Sequence, residues 1–357
     1  MKILYDGWPL IYRPDSPAAL HLLGILTASQ PDIEPHLALP GEPPAWLPEG
    51  VSRHIHAVAD RPRLRLAWEQ RLLPDLLRQT GAVLLHATSP NPPLFARVRS
   101  LVSPAGFEQV PAGRSFWERL RLAAAQGGMS NLGGLFWPDD LPPPQADIPV
   151  HRLPPLAYPT PGDERTADDA SLDGLDLPEG YVLYHGPSSE AALRRLLSAW
   201  SWAAAPLGDI YPLVAVGLDR ASSQRLLALS VESGLGDSVR SLPGVSPESL
   251  GRIYQRSAAL FHPAEEPPWG GPVRLALAHG RPVVSAESAR TSALVGPAAY
   301  LVNGEDSRLL GAALITVLVE EGVAGGLEEA GKQRAAAWSL EAFGRELSKA
   351  YYRMVER

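Results

Sequence analysis

The sequence predicts an α/β protein of two domains, each a doubly wound parallel sheet with helices on both faces. Three observations favour this class. The chain has 357 residues, whereas a single hydrophobic core rarely grows past about 250–300 residues. Short apolar runs alternate with amphipathic stretches in both halves. Hydrophobic residues make up 45% and charged residues 20%, which is a globular composition.

The first half begins with an apolar run that predicts a buried strand. Leucines at helical spacing then predict two helices, the second of which also carries Trp68. Between residues 95 and 137 glycine pairs interrupt the pattern, and one helix is predicted there. The predicted elements are a strand at 2–5, a loop at 6–17, helices at 18–29, 63–79 and 114–126, and a strand at 82–88.

The second half repeats β-α units joined by short loops, which is typical of a doubly wound sheet. Ser246, followed by Pro247, predicts the start of one helix. The predicted strands are at 181–185, 211–217, 239–242, 259–262, 282–285 and 300–302. The predicted helices are at 190–204, 220–233, 247–257, 272–279, 307–320 and 327–355.

A stretch rich in proline and acidic residues, from 138 to 180, lies between the two halves. This composition is typical of an extended linker between domains. Its acidic residues have no fixed spacing, so they predict a solvated segment and no metal site. The predicted organisation is a first domain at 1–155, a linker at 156–180, a second domain at 181–336 and a C-terminal helix at 337–357.

Charge and cysteine content exclude several classes of protein. The 32 basic and 39 acidic residues give a net charge of −7, so no broad basic face for nucleic acid is expected. With no cysteine, disulfide scaffolds, cysteine-ligated zinc and thiol nucleophiles are excluded. No apolar run approaches the roughly 20 residues of a membrane span. The first residues lack the pattern of a signal peptide, so a cytoplasmic protein is predicted.

Several stretches form a recognisable pattern. In the first half these are WEQ at 68–70 and the strand that ends in His86. In the second half they are YVLYHG at 181–186, LVAVG at 213–217, SPESL at 246–250, FHP at 261–263, WGGPV at 269–273 and ALAHGRPVV at 276–284. Together they resemble the retaining group 1 (family 4) glycosyltransferases, which have the GT-B fold.

The resemblance implies two Rossmann-like doubly wound domains that face a cleft, with the C-terminal helix packing back on the first domain. It implies a UDP- or GDP-linked nucleotide-sugar donor and a glycan or lipid acceptor. It also implies that no divalent metal or other cofactor is needed, because helix amides and cations stabilise the leaving diphosphate.

The cations that the family uses for the donor diphosphate are missing here. Family members place an Arg and a Lys after the first strand of the second domain, where they neutralise phosphate charge. The matching positions, just after Gly186, are Pro187 and Ala191. Arg194 and Arg195 lie about one helical turn further along and are the remaining candidates for this contact.

The two glutamates of the family are also displaced. One contacts the transferred sugar and the other the ribose, in the pattern E-x-x-x-x-x-x-x-E. The matching positions here are Pro267 and Leu275, and a leucine side chain accepts no hydrogen bond. Glu265 and Glu266 lie two and one residues early, and one of them is a candidate to substitute for the first glutamate.

Three neighbouring residues have two interpretations each. Gly270 and Gly271 open a helix, so free amides there could bind an anion, or the turn is retained for packing. Glutamates beside the turn would oppose a phosphate. Trp269 occupies an aromatic position of the family, where it could stack on a ring or serve only in packing.

The first half departs from the family in the same way. The glycine-rich loop after the first strand is replaced by RPDSP at 13–17, which has no glycine. Ser103 is the best match to a histidine that lies near the scissile bond. His86, at a strand end, is a candidate acceptor-side base, although a satisfied strand-end histidine is the favoured interpretation. Asp6 is either a turn residue or an acceptor contact, and His262 is expected to pack at its strand end.

Two functions follow from this combination. Each lost charged hydrogen bond is worth roughly 1.5–3 kcal/mol, so losing two cations and a carboxylate would weaken donor binding by about 10³ or more. The first hypothesis is a degenerate homologue that acts as a partner, scaffold or glycan-binding subunit beside an active glycosyltransferase. The alternative is an active retaining enzyme in which Arg194 or Arg195 holds the diphosphate and Glu265 or Glu266 replaces the carboxylate.

Overall fold

The computed structural model describes residues 1–89, 91–94, 99–107, 115–129, 132–156, 172, 175 and 177–356. These residues form two compact units. The first unit holds the described residues of Met1–Gly106, Pro111–Pro159 and Ser339–Arg357. The second holds those of Phe107–Val110 and Thr160–Trp338.

The first unit contains a seven-stranded parallel sheet of order β3-β2-β1-β4-β5-β6-β7. Its inner strand β1 (Lys2–Asp6) buries Ile3, Leu4 and Tyr5 completely, as expected for a parallel sheet that is covered on both faces. The strands are β1 (Lys2–Asp6), β2 (Glu34–Leu39), β3 (Ser52–Ile55), β4 (Leu84–Ala87), β5 (Arg99–Val102), β6 (Leu132–Pro138) and β7 (Val150–Leu153).

Helices of the first unit correct several predictions. The predicted loop at 6–17 contains a short helix, and the predicted helix at 63–79 is interrupted by a π-helical turn at Trp68–Leu72. Strand β7 lies inside the proline-rich stretch of 138–180, so residues 150–153 are not extended linker; they fall within the predicted first domain of 1–155. The helices are α1 (Trp8–Tyr12), α2 (Pro17–Thr27), α3 (Pro62–Ala67), α4 (Leu73–Thr80) and α5 (Phe116–Met129).

The second unit contains a six-stranded parallel sheet of order β10-β9-β8-β11-β12-β13. Counted within each unit, the second sheet runs 3-2-1-4-5-6, which is the doubly wound order, and the first has the same order with a seventh strand added. The predicted fold class of two doubly wound sheets is therefore confirmed. The strands are β8 (Val182–His185), β9 (Leu213–Val216), β10 (Val239–Ser241), β11 (Ala259–His262), β12 (Val283–Ala286) and β13 (Tyr300–Val302).

Most helices of the second unit begin at a capping side chain. Ser189, Asp219, Ser246 and Ser288 each accept a hydrogen bond from the backbone N–H three residues on, which satisfies one free donor of the helix. The helices are α6 (Glu190–Leu207), α7 (Arg220–Glu232), α8 (Pro247–Arg256), α9 (Gly271–Ala278), α10 (Ala289–Val295), α11 (Ser307–Val319) and α12 (Glu321–Ala335).

The last helix, α13 (Leu340–Val355), belongs to the first unit. The predicted helix at 327–355 is therefore two helices, because the chain leaves α12 at Ala336 and begins again at the Ser339 cap. In the described part of the chain, no single helix has the length and apolar character of a membrane span. Helices α11 and α12 taken together reach that length and apolar character, but the chain bends by 92° between them.

A buried chain of hydrogen bonds holds α13 on the first sheet. The Tyr351 hydroxyl lies 3.1 Å from the Tyr5 hydroxyl and 2.6 Å from Nδ1 of His86. The other ring nitrogen of His86 lies 2.7 Å from Ser103 Oγ. Burial lowers the pKa of His86 from 6.5 to about 3, so the imidazole is neutral. His86 and Ser103 are thus both members of the hydrogen-bonded chain that holds α13 on the first sheet.

We expect Tyr351→Phe to lower the free energy of unfolding by about 1–3 kcal/mol, because it removes the partner of the buried His86 Nδ1. Urea denaturation of the full chain measures this. The control is Tyr352→Phe on the exposed side of the same helix, for which a change below about 0.5 kcal/mol is expected. Equal effects of the two variants would show that the hydrogen bonds of Tyr351 do not stabilise the contact of α13 with the sheet.

Candidate functional site

In a doubly wound sheet, ligands bind outside the carboxyl ends of the strands, where the strand order reverses. In the second unit this point lies between β8 and β11, which pair in parallel. The strands end in His185 and His262, both fully buried. His262 Nδ1 donates to the His185 carbonyl oxygen at 3.0 Å, so its ring is oriented by the neighbouring strand, as the packing prediction for His262 supposed.

The turn after β8 is filled by an aromatic ring. The Tyr184 hydroxyl donates to the Pro187 carbonyl oxygen at 2.7 Å. A Cβ at Gly186 would lie 2.6 Å from the Tyr184 ring, so only glycine fits there. Gly186 therefore makes room for Tyr184, and the position that a family cation would occupy is Pro187.

The loop before α9 carries a fully buried glutamate, Glu266. Its Oε1 accepts a hydrogen bond from the Val273 backbone N–H at 2.8 Å. In this first turn Pro272 has no N–H, and the Arg274 N–H already bonds Gly270 O at 3.2 Å. Only the N–H groups of Gly271 and Val273 are then left outside the helical ladder, and Glu266 takes one of them.

Glu266 and His262 form a buried pair of uncharged groups near neutral pH. Desolvation raises the pKa of Glu266 from 4.5 to about 8, against the opposing effects of the Val273 N–H, Arg274 and Arg290. Desolvation also lowers the pKa of His262 from 6.5 to about 4. Glu266 Oε1 lies 3.6 Å from His262 Nε2, so the two side chains face each other at the end of β11.

Gly270 is required by the side chains packed around the turn. Its φ is +61°, and a Cβ would lie 2.5 Å from Leu294 Cδ1 and 2.9 Å from Arg274 Nε. The buried Arg274 donates from Nε to the Trp269 carbonyl oxygen at 3.1 Å, and its guanidinium lies 4.7 Å from the Trp338 ring centre. Trp269 itself is fully buried, so its ring faces the interior of the unit.

Two arginines that the sequence analysis did not single out lie at this loop. Arg274 is in the first turn of α9, and Arg290 donates from Nη1 to the Glu266 carbonyl oxygen at 3.0 Å. Arg290 Nη1 also lies 3.7 Å from the carboxylate of the exposed Glu265. A cation in the first turn of a helix is electrostatically unfavourable, and this was the signal that Arg274 has an acidic neighbour.

The arginines that the sequence did suggest lie on the surface of α6. Arg194 donates to Glu190 at 2.8 Å, an acid that it shares with Arg225. Arg195 pairs with Glu305 at 3.1 Å. Leu275, which the family resemblance matches to the ribose glutamate, is fully buried within α9.

In the first unit the carboxyl end of β1 is occupied by a buried ion network. Asp6 Oδ1 accepts from the Trp68 indole N–H at 2.9 Å, and Oδ2 accepts from Arg65 at 3.1 Å. Arg65 also donates to Glu69 at 2.7 Å, and Arg121 of α5 binds Glu69 through two bonds of 2.8 Å. Asp6 is thus held by protein donors, and the π-helical turn places Trp68 and Glu69 toward it.

None of these clusters resembles a metal centre. Within the described ranges, no group of three or more histidine, aspartate or glutamate side chains is arranged to hold a metal ion. The loop region of the second unit is instead made of one buried carboxyl group, a histidine pair and two arginines.

The chain matches known proteins in its second unit and in its fold. Residues 179–320 match the family model described as group 1 glycosyl transferases. No sequence among the curated proteins matches the chain.

Solved structures match over nearly the whole length. Sucrose-phosphate synthase (tll1590) from Thermosynechococcus elongatus has 16% identity and a TM-score of 0.69, over 100% of this chain and 99% of that one. WaaG, a glycosyltransferase involved in lipopolysaccharide biosynthesis, has 14% identity and a TM-score of 0.73, over 98% and 99%. Anabaena Alr3699/HepE in complex with UDP and glucose has 15% identity and a TM-score of 0.66, over 99% of each chain.

Two parallel sheets of this order, matched over the full length by these structures, define the GT-B fold. Within that fold the resemblance to the group 1 glycosyltransferases is confirmed, through the family match of residues 179–320.

The raised pKa of Glu266 makes stability depend on pH. The folded state holds a proton between pH 4.5 and about 8 that the unfolded state releases, so this stabilisation is full below pH 4.5 and is lost as the pH rises through 8. From pH 7 to 9, above the titration of His262, wild type should lose up to about 1.4 kcal/mol per pH unit relative to Glu266→Gln. Urea denaturation at each pH measures the difference.

The matched control is Glu265→Gln, which removes the charge of the exposed neighbour. We expect this variant to keep the same pH dependence as wild type. A Glu266→Gln curve that runs parallel to wild type from pH 7 to 9 would contradict the buried, protonated carboxyl group.

Proposed function

We propose that this protein is a group 1 glycosyltransferase homologue that no longer transfers sugar from a nucleotide-sugar donor. In this proposal it serves glycan or cell-envelope polysaccharide synthesis in the cytoplasm, as a partner, scaffold or glycan-binding subunit beside an active enzyme. The supporting observation is the buried Glu266 carboxyl group on the Val273 N–H. The protein's own acid occupies an amide that a donor phosphate would need.

The reasoning starts from the charge of the donor. A nucleotide diphosphate needs free amides and cations, because moving its charge out of water is costly unless it is paired. One of the two free amides of the α9 turn is bonded to Glu266. The positions of the family's cations are Pro187 and Ala191, and the position of the ribose carboxylate is the buried Leu275.

The setting of glycan synthesis is supported by the relatives. WaaG is involved in lipopolysaccharide biosynthesis, and Alr3699/HepE is seen with UDP and glucose. A degenerate copy of the same fold would keep surfaces for a glycan or for an active glycosyltransferase. Neither role requires a cofactor or a metal.

An active retaining glycosyltransferase remains the second candidate, because Arg274 and Arg290 bring two cations to the donor loop. In that case a nucleotide-sugar would displace the Glu266 carboxyl group from Val273 N–H. Arg194 or Arg195 would hold the diphosphate, and Glu265 or Glu266 would contact the transferred sugar.

The first test is titration calorimetry of the wild-type chain with UDP-, GDP- and ADP-sugars. We expect no dissociation constant below about 1 mM, because the lost charged contacts together weaken donor binding by about 10³. A micromolar constant, or sugar transfer to any acceptor, would reject the degenerate interpretation. Loss of that transfer in Arg194→Ala would then assign the diphosphate contact of the alternative.

The second test removes the side chain that bonds the Val273 N–H. Glu266→Ala frees the Val273 N–H beside Arg274 and Arg290, so inorganic pyrophosphate should bind at least about tenfold more tightly than to wild type, which corresponds to one charge-assisted hydrogen bond. Glu265→Ala removes an exposed carboxylate from the same loop and leaves the Val273 N–H bonded to Glu266, so it should give less than about half of this change in free energy. Equal affinities of the two variants would show that Glu266 does not block the turn.

A further inference from the structure

The outer surface of helices α6 and α11 in the second unit has a long run without charge. No charged residue occurs at positions 196–208, in α6 and its C-terminal cap, or at positions 309–319 in α11. The outer face of a surface helix is normally charged or polar. Here it exposes apolar side chains, among them Trp202 at 53% and Val319 at 62%. Neither the proposed function nor the family resemblance uses this surface.

The two helices lie side by side and run in the same direction. Ser198 Oγ donates to Ser307 Oγ at 3.0 Å, and a Cβ at Gly311 would lie 2.5 Å from the Trp202 Cβ. The two pairs have the same separation in the chain, 109 residues, so the helices advance in step. Their outer apolar side chains form one surface, the α6–α11 seam, which consists of Trp202, Ala205, Pro206, Ala312, Ile315 and Val319.

Unpaired charges of opposite sign lie at the two ends of the seam. Arg308 lies at the N-terminal end, where its guanidinium is 5.7 Å from the Trp202 ring centre. The exposed Asp209 and Glu320 lie at the C-terminal end. Among the described residues none of these three charged groups forms an ion pair, whereas the arginines of α6 near the first end are already paired with glutamates. The seam is therefore complementary in charge to a reversed copy of itself.

We propose that the α6–α11 seam is the contact between two copies of this chain. The two-fold axis lies in the plane of contact and perpendicular to the helices, so each helix meets the same helix of the second copy in the antiparallel direction. Arg308 of each copy then lies against Glu320 of the other, because these residues flank opposite ends of the uncharged part of α11. Apolar side chains fill the centre, where the small Ala205 and Ala312 let the helices approach closely.

The size of the seam fits the centre of a protein interface. The uncharged runs are about 17–20 Å long and neighbouring helices lie about 10 Å apart, so the seam covers roughly 400 Å². A standard interface buries about 800 Å² on each partner, including a polar rim around an apolar centre. The carboxylates at one end disfavour a bilayer with anionic lipid, since like charges repel. A second copy is the occupant that pairs the charges at both ends at once.

Sedimentation velocity of the full chain tests the proposal. We expect a dimer with a dissociation constant of about 10 μM or tighter. Val319→Arg should weaken the dimer at least about tenfold, because it places an added cation against Arg308 of the second copy. The matched control is Val231→Arg, which adds the same charge at an exposed valine of α7 and should change the dissociation constant less than about twofold. Circular dichroism of both variants should equal that of wild type, because both valines are exposed.

A charge exchange tests the antiparallel arrangement. Arg308→Glu and Glu320→Arg should each weaken the dimer about three- to tenfold, because each places like charges together across the contact. The double variant restores opposite charges, so its dimer should be at least about threefold tighter than that of either single variant. If the two substitutions only damaged the fold, their combination would weaken the dimer further.

Three outcomes would overturn the proposal. These are a wild-type chain that stays monomeric at about 100 μM, a Val319→Arg dimer as tight as wild type, and a double charge variant no tighter than its single variants. Lipid vesicles that bind a monomeric wild type and not Val319→Arg would assign the seam to a membrane surface. None of these results depends on nucleotide-sugar binding.

Discussion

The second unit depends on one buried hydrogen bond, between the Glu266 carboxyl group and the Val273 N–H. A carboxyl group that is removed from water must be neutral or paired, and here burial favours the protonated form. The packing around it follows from this. Gly270 has a left-handed conformation, and a side chain there would clash with Arg274 and Leu294. In the turn that begins α9, the Val273 N–H is thus bonded to a side chain of the protein itself.

The same principle holds in the first unit. Doubly wound sheets bind ligands at the carboxyl ends of their strands, yet there Asp6 is bonded to Trp68 and Arg65, and His86 is bonded to Tyr351. Protein groups therefore fill the hydrogen-bonding capacity of Asp6 and His86 at the ends of these two strands. The network has a further consequence, because Glu69 draws the charged side of α5 inward through Arg121, which leaves the apolar side of that helix in solvent.

Much of the fold was predictable because parallel strands and capped helices have strong local signals. Strands β1 and β8 contain the buried runs ILY at 3–5 and VLY at 182–184, and Ser246 caps α8 as its sequence indicates. Strand β3 was missed because its residues alternate between half-buried and exposed and three of its four side chains are charged or polar. The break between α12 and α13 was missed because the apolar periodicity continues through Trp338 although the two helices belong to different units.

The sequence by itself determined the doubly wound class and the resemblance to group 1 glycosyltransferases, because these depend on residue type and spacing. From the same spacing it predicts the loss of cations and carboxylate at Pro187, Ala191 and Leu275. Only the tertiary structure decided which polar groups meet. His86 and Tyr351 are 265 residues apart in the chain, and Asp6 and Arg65 are 59 apart. Even Glu266 and Val273, seven residues apart, meet only because packing buries the loop. Burial and partner choice are properties of the folded chain, and they decide whether an acid binds a ligand or the protein itself.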